Sequence, residues 1–319
     1  MSAAAKSTYA AAAPAVSIPL RLRLKAWWYG YDLQLRRKTL EIETNAKKHG
    51  VRYSRPAERW ESSRLKLVQA VWGDGFSSPG GSEYLLELVK PFGLDKTMSL
   101  LDLGAGLGGP DRLMAQNFGV WVTGLEQDHN LAAAGMGLST KAGLGKKAPI
   151  QPYDPEAIEF KPKSYDCVFS KEAFFTIKAK ERLIKLVEHA LKDRGQFLFT
   201  DYVLGEKGKT PTVEAWMKKE PLTPDLWELE RYVALLRDLK LDIRITEDIT
   251  TPHKDLIVKG WADYMAQVQT AGLDHELLGA LVDEAEIWAR RVKMLDSGGL
   301  KVCRVHVLKK TSDKMLSDW

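Results

Sequence analysis

The residues best suited to chemistry lie in one loop and at the ends of the strands that follow it. Leu100-Leu101-Asp102-Leu103-Gly104-Ala105-Gly106-Leu107-Gly108-Gly109 reads as an apolar strand running into a glycine-rich turn that opens a helix. Glycine supplies backbone angles closed to other residues and lets a ligand lie against bare main chain. Asp102 ends the strand with a carboxylate directed at the turn. Glu126 stands at the tip of the next strand, where a carboxylate can accept both hydroxyls of a ribose. Asp154 follows the third strand and can accept an exocyclic amine. Glu172 follows the fourth strand and Tyr202 the fifth. The first three strand ends together describe a site for an adenosine-like ligand, at the edge where open α/β sheets bind ligands.

Spacing separates two classes of such ligand. A dinucleotide fingerprint sets glycines as G-x-G-x-x-G and rests a pyrophosphate on the helix N-terminus. Here Gly104, Gly106 and Gly108 alternate, and Gly109 follows directly. Asp102 would repel a pyrophosphate, but it can receive the ammonium of an amino-acid moiety. That chemistry favours S-adenosylmethionine over a dinucleotide; a tight turn with no ligand is the third reading. Methyl transfer from a sulfonium is an in-line displacement, and holding the acceptor close can supply roughly 7–11 kcal/mol of the barrier. A base is needed only where the acceptor must lose a proton. Glu172 reads as that base, as a seat for a cation, or as a carboxylate complementing a helix dipole. Tyr202 lines the substrate or packs, and Arg291 is a binding group or a solvated helix face. Asp201 is a strand-end ligand or a cap. Trp60 closes over the cofactor, forms a cation–π wall for a methylated amine, or packs in the core. The six histidines (49, 129, 189, 253, 275 and 306) show no metal-ligand spacing, so no metal is expected.

These residues need a scaffold of alternating strands and helices, and the text supplies one. Strands read at 98–103, 120–125, 148–153, 165–170 and 196–200. Helices read at 57–72, from Ser82 as cap to about Val89, at 110–117, from Leu131 to Leu138, and from Lys180 to Leu191, where Arg194-Gly195 stops the last one. From about Thr210 the rhythm changes. Residues 212–238 read as helix interrupted by Pro221 and Pro224, 241–249 as strand, 254–293 as two helices and 301–309 as a closing strand. The expected fold is α/β: a Rossmann-like, seven-stranded doubly wound sheet with an N-terminal helical lid and a helical insertion before the last strand. The expected bounds are a flexible tail at 1–19, a lid at 20–90, and a domain at 91–310 with its insertion at about 205–295.

Composition narrows the classes. The chain has 319 residues, 45% hydrophobic and 28% charged, an ordinary globular balance that excludes a mainly disordered chain. No run of apolar residues is long enough to span a membrane. Two cysteines, Cys167 and Cys303, cannot build a disulfide framework or a four-cysteine zinc site. With no signal peptide evident, a reducing cytoplasmic compartment is the default, although the Ala/Ser-rich start also resembles a transit peptide. The net charge of +5 is uneven: residues 1–50 hold nine basic and three acidic side chains, and the remainder is near neutral. No nucleic-acid partner is therefore expected. Leu24, Trp27, Trp28, Tyr31 and Leu35 share one helical face amid basic residues. Residues 20–38 thus read either as a peripheral membrane contact or as a helix packed on the domain or a partner subunit, which leaves a homo-oligomer open. The partner expected at the site is a small molecule.

The glycine turn, Glu126 and Asp154 resemble motifs of class I S-adenosylmethionine-dependent methyltransferases, over about residues 57–205. Within that group the chain is most similar to phosphoethanolamine methyltransferases. The likeness rests on Trp72-Gly73-Asp74-Gly75-Phe76-Ser77-Ser78-Pro79-Gly80-Gly81, on the glycine turn, on Phe169-Ser170-Lys171-Glu172-Ala173, on Thr200-Asp201-Tyr202 and on the stretch 288–293. The resemblance implies S-adenosylmethionine as cofactor, with Ser77 and Ser78 by its methionine part and Gln127 and Ser170 in the same site. It implies Glu172 facing the acceptor's amine, and Tyr202 and Arg291 facing an anionic end. The chain also departs from the family. Trp60 stands where the family has a lid tyrosine, and Thr176 where it has a histidine; neither is an acid–base group near neutral pH. The Arg-Lys-Tyr run that grips a phosphate is missing, with Lys218-Lys219-Glu220-Pro221 nearby. The implied function is methyl transfer to an amine, phospho-amine or lipid-linked compound. C- or O-methylation of a quinone-like or lipid acceptor, and cofactor binding without catalysis, are the alternatives.

Overall fold

Leu100, Leu101 and Leu103 make β1 (Ser99–Leu103) a strand that can be buried on both faces, and all of it but Ser99 is buried, Asp102 included. The structure is a computed structural model that describes residues 59–272 and 274–311. The tail 1–19 and the basic aromatic stretch 20–38, with its membrane and packing readings, lie outside the described residues. Around β1 the described chain forms seven strands in the order β3-β2-β1-β4-β5-β7-β6. These are β2 (Trp121–Glu126), β3 (Ile150–Pro152), β4 (Tyr165–Lys171), β5 (Leu191–Leu204), β6 (Asp242–Asp248) and β7 (Leu300–Leu308). The first five are parallel; β7 inserts antiparallel between β5 and β6. This is the expected Rossmann-like, doubly wound α/β sheet. The strand order reverses between β1 and β4, so a crevice opens above their carboxyl ends.

Nine α-helices accompany the sheet among the described residues. They are α1 (Ser62–Trp72), α2 (Gly81–Val89), α3 (Gly109–Phe118), α4 (His129–Lys141), α5 (Lys180–Ala190), α6 (Pro211–Met217), α7 (Leu229–Asp238), α8 (Thr250–Ala271) and α9 (Leu278–Asp296). Local chemistry sets several ends. Asp128 caps α4 by accepting from the N–H groups of Asn130 and Leu131 at 3.0 and 3.1 Å. Thr210 caps α6 through Val213 N–H, and Pro211 starts it. Two readings are corrected. Helix α2 begins at Gly81 behind Gly80, with no side-chain cap, so Ser82 is inside it. Helix α5 ends at Ala190, and Arg194-Gly195 form an irregularity within β5: Arg194 has a φ of 64°, and its N–H donates to Lys309 O.

Helices α1, α8 and α9 meet through three tryptophans. The ring of Trp72 lies 6.1 Å from Trp261 and 4.8 Å from Trp288, both edge-on. Gly260 allows the approach; a Cβ there would stand 2.5 Å from Trp72 Cζ3. Below the sheet a separate core gathers Phe174, Phe197, Phe199, Leu183, Ile184 and Val187, the last three from one face of α5. Burial on this scale is worth about 25 cal/mol per Å² of apolar surface and fixes the strand ends that carry the site.

Candidate active site

A cleft with about 920 Å³ of empty space, open solvent included, lies over the carboxyl ends of β1, β2 and β4. Its floor is the turn after β1. Gly104 and Gly106 have φ of 91° and 58°, in the left-handed region that favours glycine. A Cβ on Gly106 would stand 2.7 Å from Ser77 Oγ, and one on Gly104 would collide with Ala173. Glu126 ends β2 on the cleft wall. Its Oε2 accepts from Gly106 N–H at 3.0 Å and its Oε1 from Asp128 N–H at 2.9 Å, so main chain fixes its orientation. Burial raises its pKa, against the lowering effect of those two donors.

The opposite wall comes from the end of β4. Glu172 adopts a φ of 56°, costly for a side chain with a Cβ, while its own N–H donates to Thr200 O at 2.7 Å. Its carboxylate is buried; Lys171 Nζ lies 2.9 Å and His253 Nδ1 3.4 Å from its Oε1. Burial works to raise the Glu172 pKa, but Lys171, His253 and Arg291 outweigh it and hold it below the usual value. Lys171 Nζ also donates to Ser78 Oγ at 2.7 Å, tying β4 to the loop before α2. From α9, Arg291 donates through Nε and Nη2 to Glu220 Oε2 at 3.1 and 2.7 Å. Its guanidinium lies 4.7 Å from the Trp288 ring centre.

The cleft gathers most of the residues expected of it. Trp60, Ser77, Ser78, Gly104, Gly106, Glu126, Gln127, Glu172, Thr176 and Arg291 all line it. Gln127 Nε2 donates to Thr176 Oγ1 at 3.1 Å, so these two neighbours hold each other. Five expected site residues do not line it. Asp102 turns into the sheet beside Asp111, where both carboxyls are fully buried. Ser170 spends its hydroxyl on Leu103 O at 2.7 Å. Gly108 is the N-cap of α3. Asp154 is exposed and accepts from Glu156 N–H, an Asx turn. Tyr202 is buried behind Phe175 and bonds His253. Two roles change as well. The Trp60 ring is already covered by the Arg64 guanidinium at 4.2 Å, so that face is not a free wall for an acceptor cation. Arg291 is neutralised by Glu220 rather than left open to an anion. Arg59, Arg64, Lys171 and Glu284 line the cleft and were not singled out in the sequence. Lys171 adjoins Glu172 in the β4 motif and could have been found there; the others carry no distinguishing signal.

Fold and site define a class. Residues 101–199 match a family described as "Methyltransferase domain", and the seven-stranded sheet has the fold of class I methyltransferases. Its relatives include phosphoethanolamine N-methyltransferases and a sterol 24-C-methyltransferase. It is 31% identical over 192 residues to phosphoethanolamine N-methyltransferase 3 of Arabidopsis thaliana, covering 60% of this chain and 38% of that protein. It is 34% identical over 237 residues to phosphoethanolamine N-methyltransferase 2 of Caenorhabditis elegans, covering 66% of this chain and 54% of the relative. The chain thus spans about half the length, or less, of these relatives. The fold is similar to that of phosphoethanolamine N-methyltransferase 2 of Haemonchus contortus, solved in complex with phosphomonomethylethanolamine and S-adenosylhomocysteine. The TM-score is 0.70 and the identity 23%, over 77% of this chain and 57% of the other. Among the described residues no helix is long and apolar enough to cross a membrane.

Proposed function

We propose that the chain transfers a methyl group from S-adenosylmethionine to a small amine acceptor held against Glu172. The residues present fit that cofactor. The turn at Gly104 and Gly106 is a cradle that a Cβ would fill, and Glu126 brings an oriented carboxylate to it. When bound, the cofactor supplies an electrophilic methyl on a sulfonium. Glu126 would receive the ribose hydroxyls on lone pairs left by its two main-chain donors, and Ser77 and Ser78 would flank the methionine part. Glu172 carries the proposal for the acceptor: it is a buried carboxylate, held ionised, on the wall of the same cleft. Its contacts with Lys171 and His253 fall on Oε1. We assign Oε2 to the acceptor's N–H, which would place the amine lone pair for attack and then face the methylated cation. Because its pKa is lowered, Glu172 is a cation seat rather than a strong base.

The cleft reads the amine more than an attached anion. Of the four cations that line the cleft among the described residues, Arg64, Lys171 and Arg291 already face a carboxylate: Glu284, Glu172 and Glu220; the fourth, Arg59, feels Glu126 and Asp128, on the cofactor side. The test incubates purified protein with methyl-labelled S-adenosylmethionine and, separately, ethanolamine, its N-methyl derivatives, phosphoethanolamine and a lipid extract. Label in an N-methylated amine or phospho-amine is the expected result. Label confined to lipids would replace this reading with C- or O-methylation. Cofactor binding with no labelled product from any arm would leave a binding protein without transfer activity.

A further inference from the structure

Behind Glu172 lies a buried chain of polar groups that the cofactor does not need. His253, in the first turn of α8, is buried. Its Nε2 lies 2.7 Å from Tyr202 Oη, with the two rings edge-on at 5.3 Å. Its Nδ1 lies 3.4 Å from Glu172 Oε1, outside hydrogen-bond geometry, and is buried with no hydrogen-bond partner among the described residues. The end of β4, β5 and α8 thus converge on one imidazole that does not itself line the cleft but adjoins Glu172, which does. Burial drives its pKa down to about 4, so the ring is neutral near pH 7. A neutral ring has one N–H. Burial also keeps the Tyr202 phenol protonated. If the phenol donates to Nε2, the proton sits on Nδ1, the ring nitrogen nearest the Glu172 carboxylate. The opposite tautomer would face a bare nitrogen lone pair against the same carboxylate, which is repulsive.

We infer that His253 is a positioning residue for the methyl acceptor: fixed by Tyr202, it presents Nδ1–H to Glu172 and keeps that carboxylate aimed and ionised. The inference rests on the reading of Glu172 as the acceptor's seat. The other charged or titratable groups around Glu172 are Lys171 from β4, Arg291 from α9 with its partner Glu220, and Tyr84 from α2. Lys171 and Arg291 would remain when His253 is replaced, so the effect is a shift, not a collapse.

The experiment uses the full chain as wild type, His253→Leu, His253→Asn and Tyr202→Phe. Asparagine retains an N–H close to the Nδ1 position. S-adenosylhomocysteine affinity, measured by calorimetry, should be unchanged in all four. With an amine acceptor, kcat/KM should fall about tenfold in His253→Leu, the weight of one hydrogen bond to a charged group. The acidic limb of its pH profile should move to higher pH, and His253→Asn should restore most of both. Without any acceptor, the ¹³C carboxyl resonance of Glu172, assigned against Glu172→Gln, should titrate at a higher midpoint in His253→Leu. A merely structural histidine would lower Tm and leave limb and midpoint unmoved, and that result overturns the inference. If the wild type methylates no amine, the proposed function fails, and the ¹³C midpoint still decides the role of His253. If His253→Leu does not fold, Tyr202→Phe replaces it. Losing the donor to Nε2 should also raise the midpoint, and an unmoved midpoint would overturn the inference.

Discussion

Glu126 holds two main-chain donors at once, so its carboxylate is oriented before any ligand arrives. Glu126→Ala removes that acceptor and leaves the Gly106 N–H buried without its partner. A hydrogen bond to a charged group contributes about 1.5–3 kcal/mol, so affinity for S-adenosylhomocysteine should fall at least about tenfold by calorimetry. Gly106→Ala should do the same by another route: its φ is 58°, and the new Cβ would press on Ser77 Oγ. Both residues were legible in the sequence because each depends only on order along the chain: glycines after an apolar strand, an acid at the next strand tip. Where a side chain points is a different matter. Asp102 and Ser170 occupy the right strand ends but turn into the sheet, toward Asp111 and Leu103 O. Asp154 meets a nearer partner in the N–H two residues on. His253 could not be found at all from spacing. It reaches Glu172 only because the start of α8 is held on β7, where Val302 N–H donates to Thr250 Oγ1 at 3.0 Å, a contact between distant parts of the chain.

At the scale of elements, a glycine in β2 and a glycine in α4 have opposite roles. Gly124, midway along β2, faces Asp102 of β1; a Cβ there would lie 2.5 Å from Ile150 Cδ1 and 2.6 Å from Asp111 Oδ1. Gly137 lies exposed within α4 with nothing within 4 Å of such a Cβ. Gly124→Ala should therefore lower stability by about 1–3 kcal/mol through overpacking. Gly137→Ala should raise it by about 0.5–1 kcal/mol, because alanine loses less backbone entropy in a helix. Thermal unfolding of the two variants side by side checks both signs. The elements themselves were largely readable, since apolar runs and helical stripes are local. Pairing was not. The strand read at 196–200 extends to 191–204 because its later part finds β7 antiparallel beside it. The long hairpin-like contact between β5 and β7 fixes ends that no local pattern marks. The same holds for the tryptophan cluster: Trp72, Trp261 and Trp288 each read as ordinary helix-face residues, and only packing unites them, with Trp288 reaching the cleft.

For the molecule as a whole, the buried carboxyls set how stability depends on pH. Asp201 accepts from Tyr232 Oη at 2.8 Å and Phe175 N–H at 3.0 Å, yet burial raises its pKa to about 7. Asp102 and Asp111 are raised as well, by burial first, and Asp102 also by the neighbouring carboxyl. A carboxyl whose folded pKa exceeds its unfolded value holds its proton more tightly when folded. Its stabilising contribution is complete below about pH 4 and is lost as pH rises through about 7. Glu172 and Asp166 act in the opposite sense: their pKa values are lowered, so their contribution is present above the usual carboxylate range and lost in acid. The two groups squeeze the folded state from both sides and place its maximum stability in mildly acidic solution. Asp201→Asn isolates one side. The amide keeps the shape and can still accept from Phe175 N–H, but it carries no proton to lose. For a shift from 3.8 to about 7, the penalty it removes from the alkaline side is up to about 4 kcal/mol. We therefore expect the variant's Tm to gain on the wild type's steadily between about pH 4 and 7, whatever its offset at acid pH, and the difference to level off above that. A Tm difference that stays flat across this range would show that Asp201 is ionised in the folded protein throughout, with Lys180 and Tyr232 compensating its burial in full.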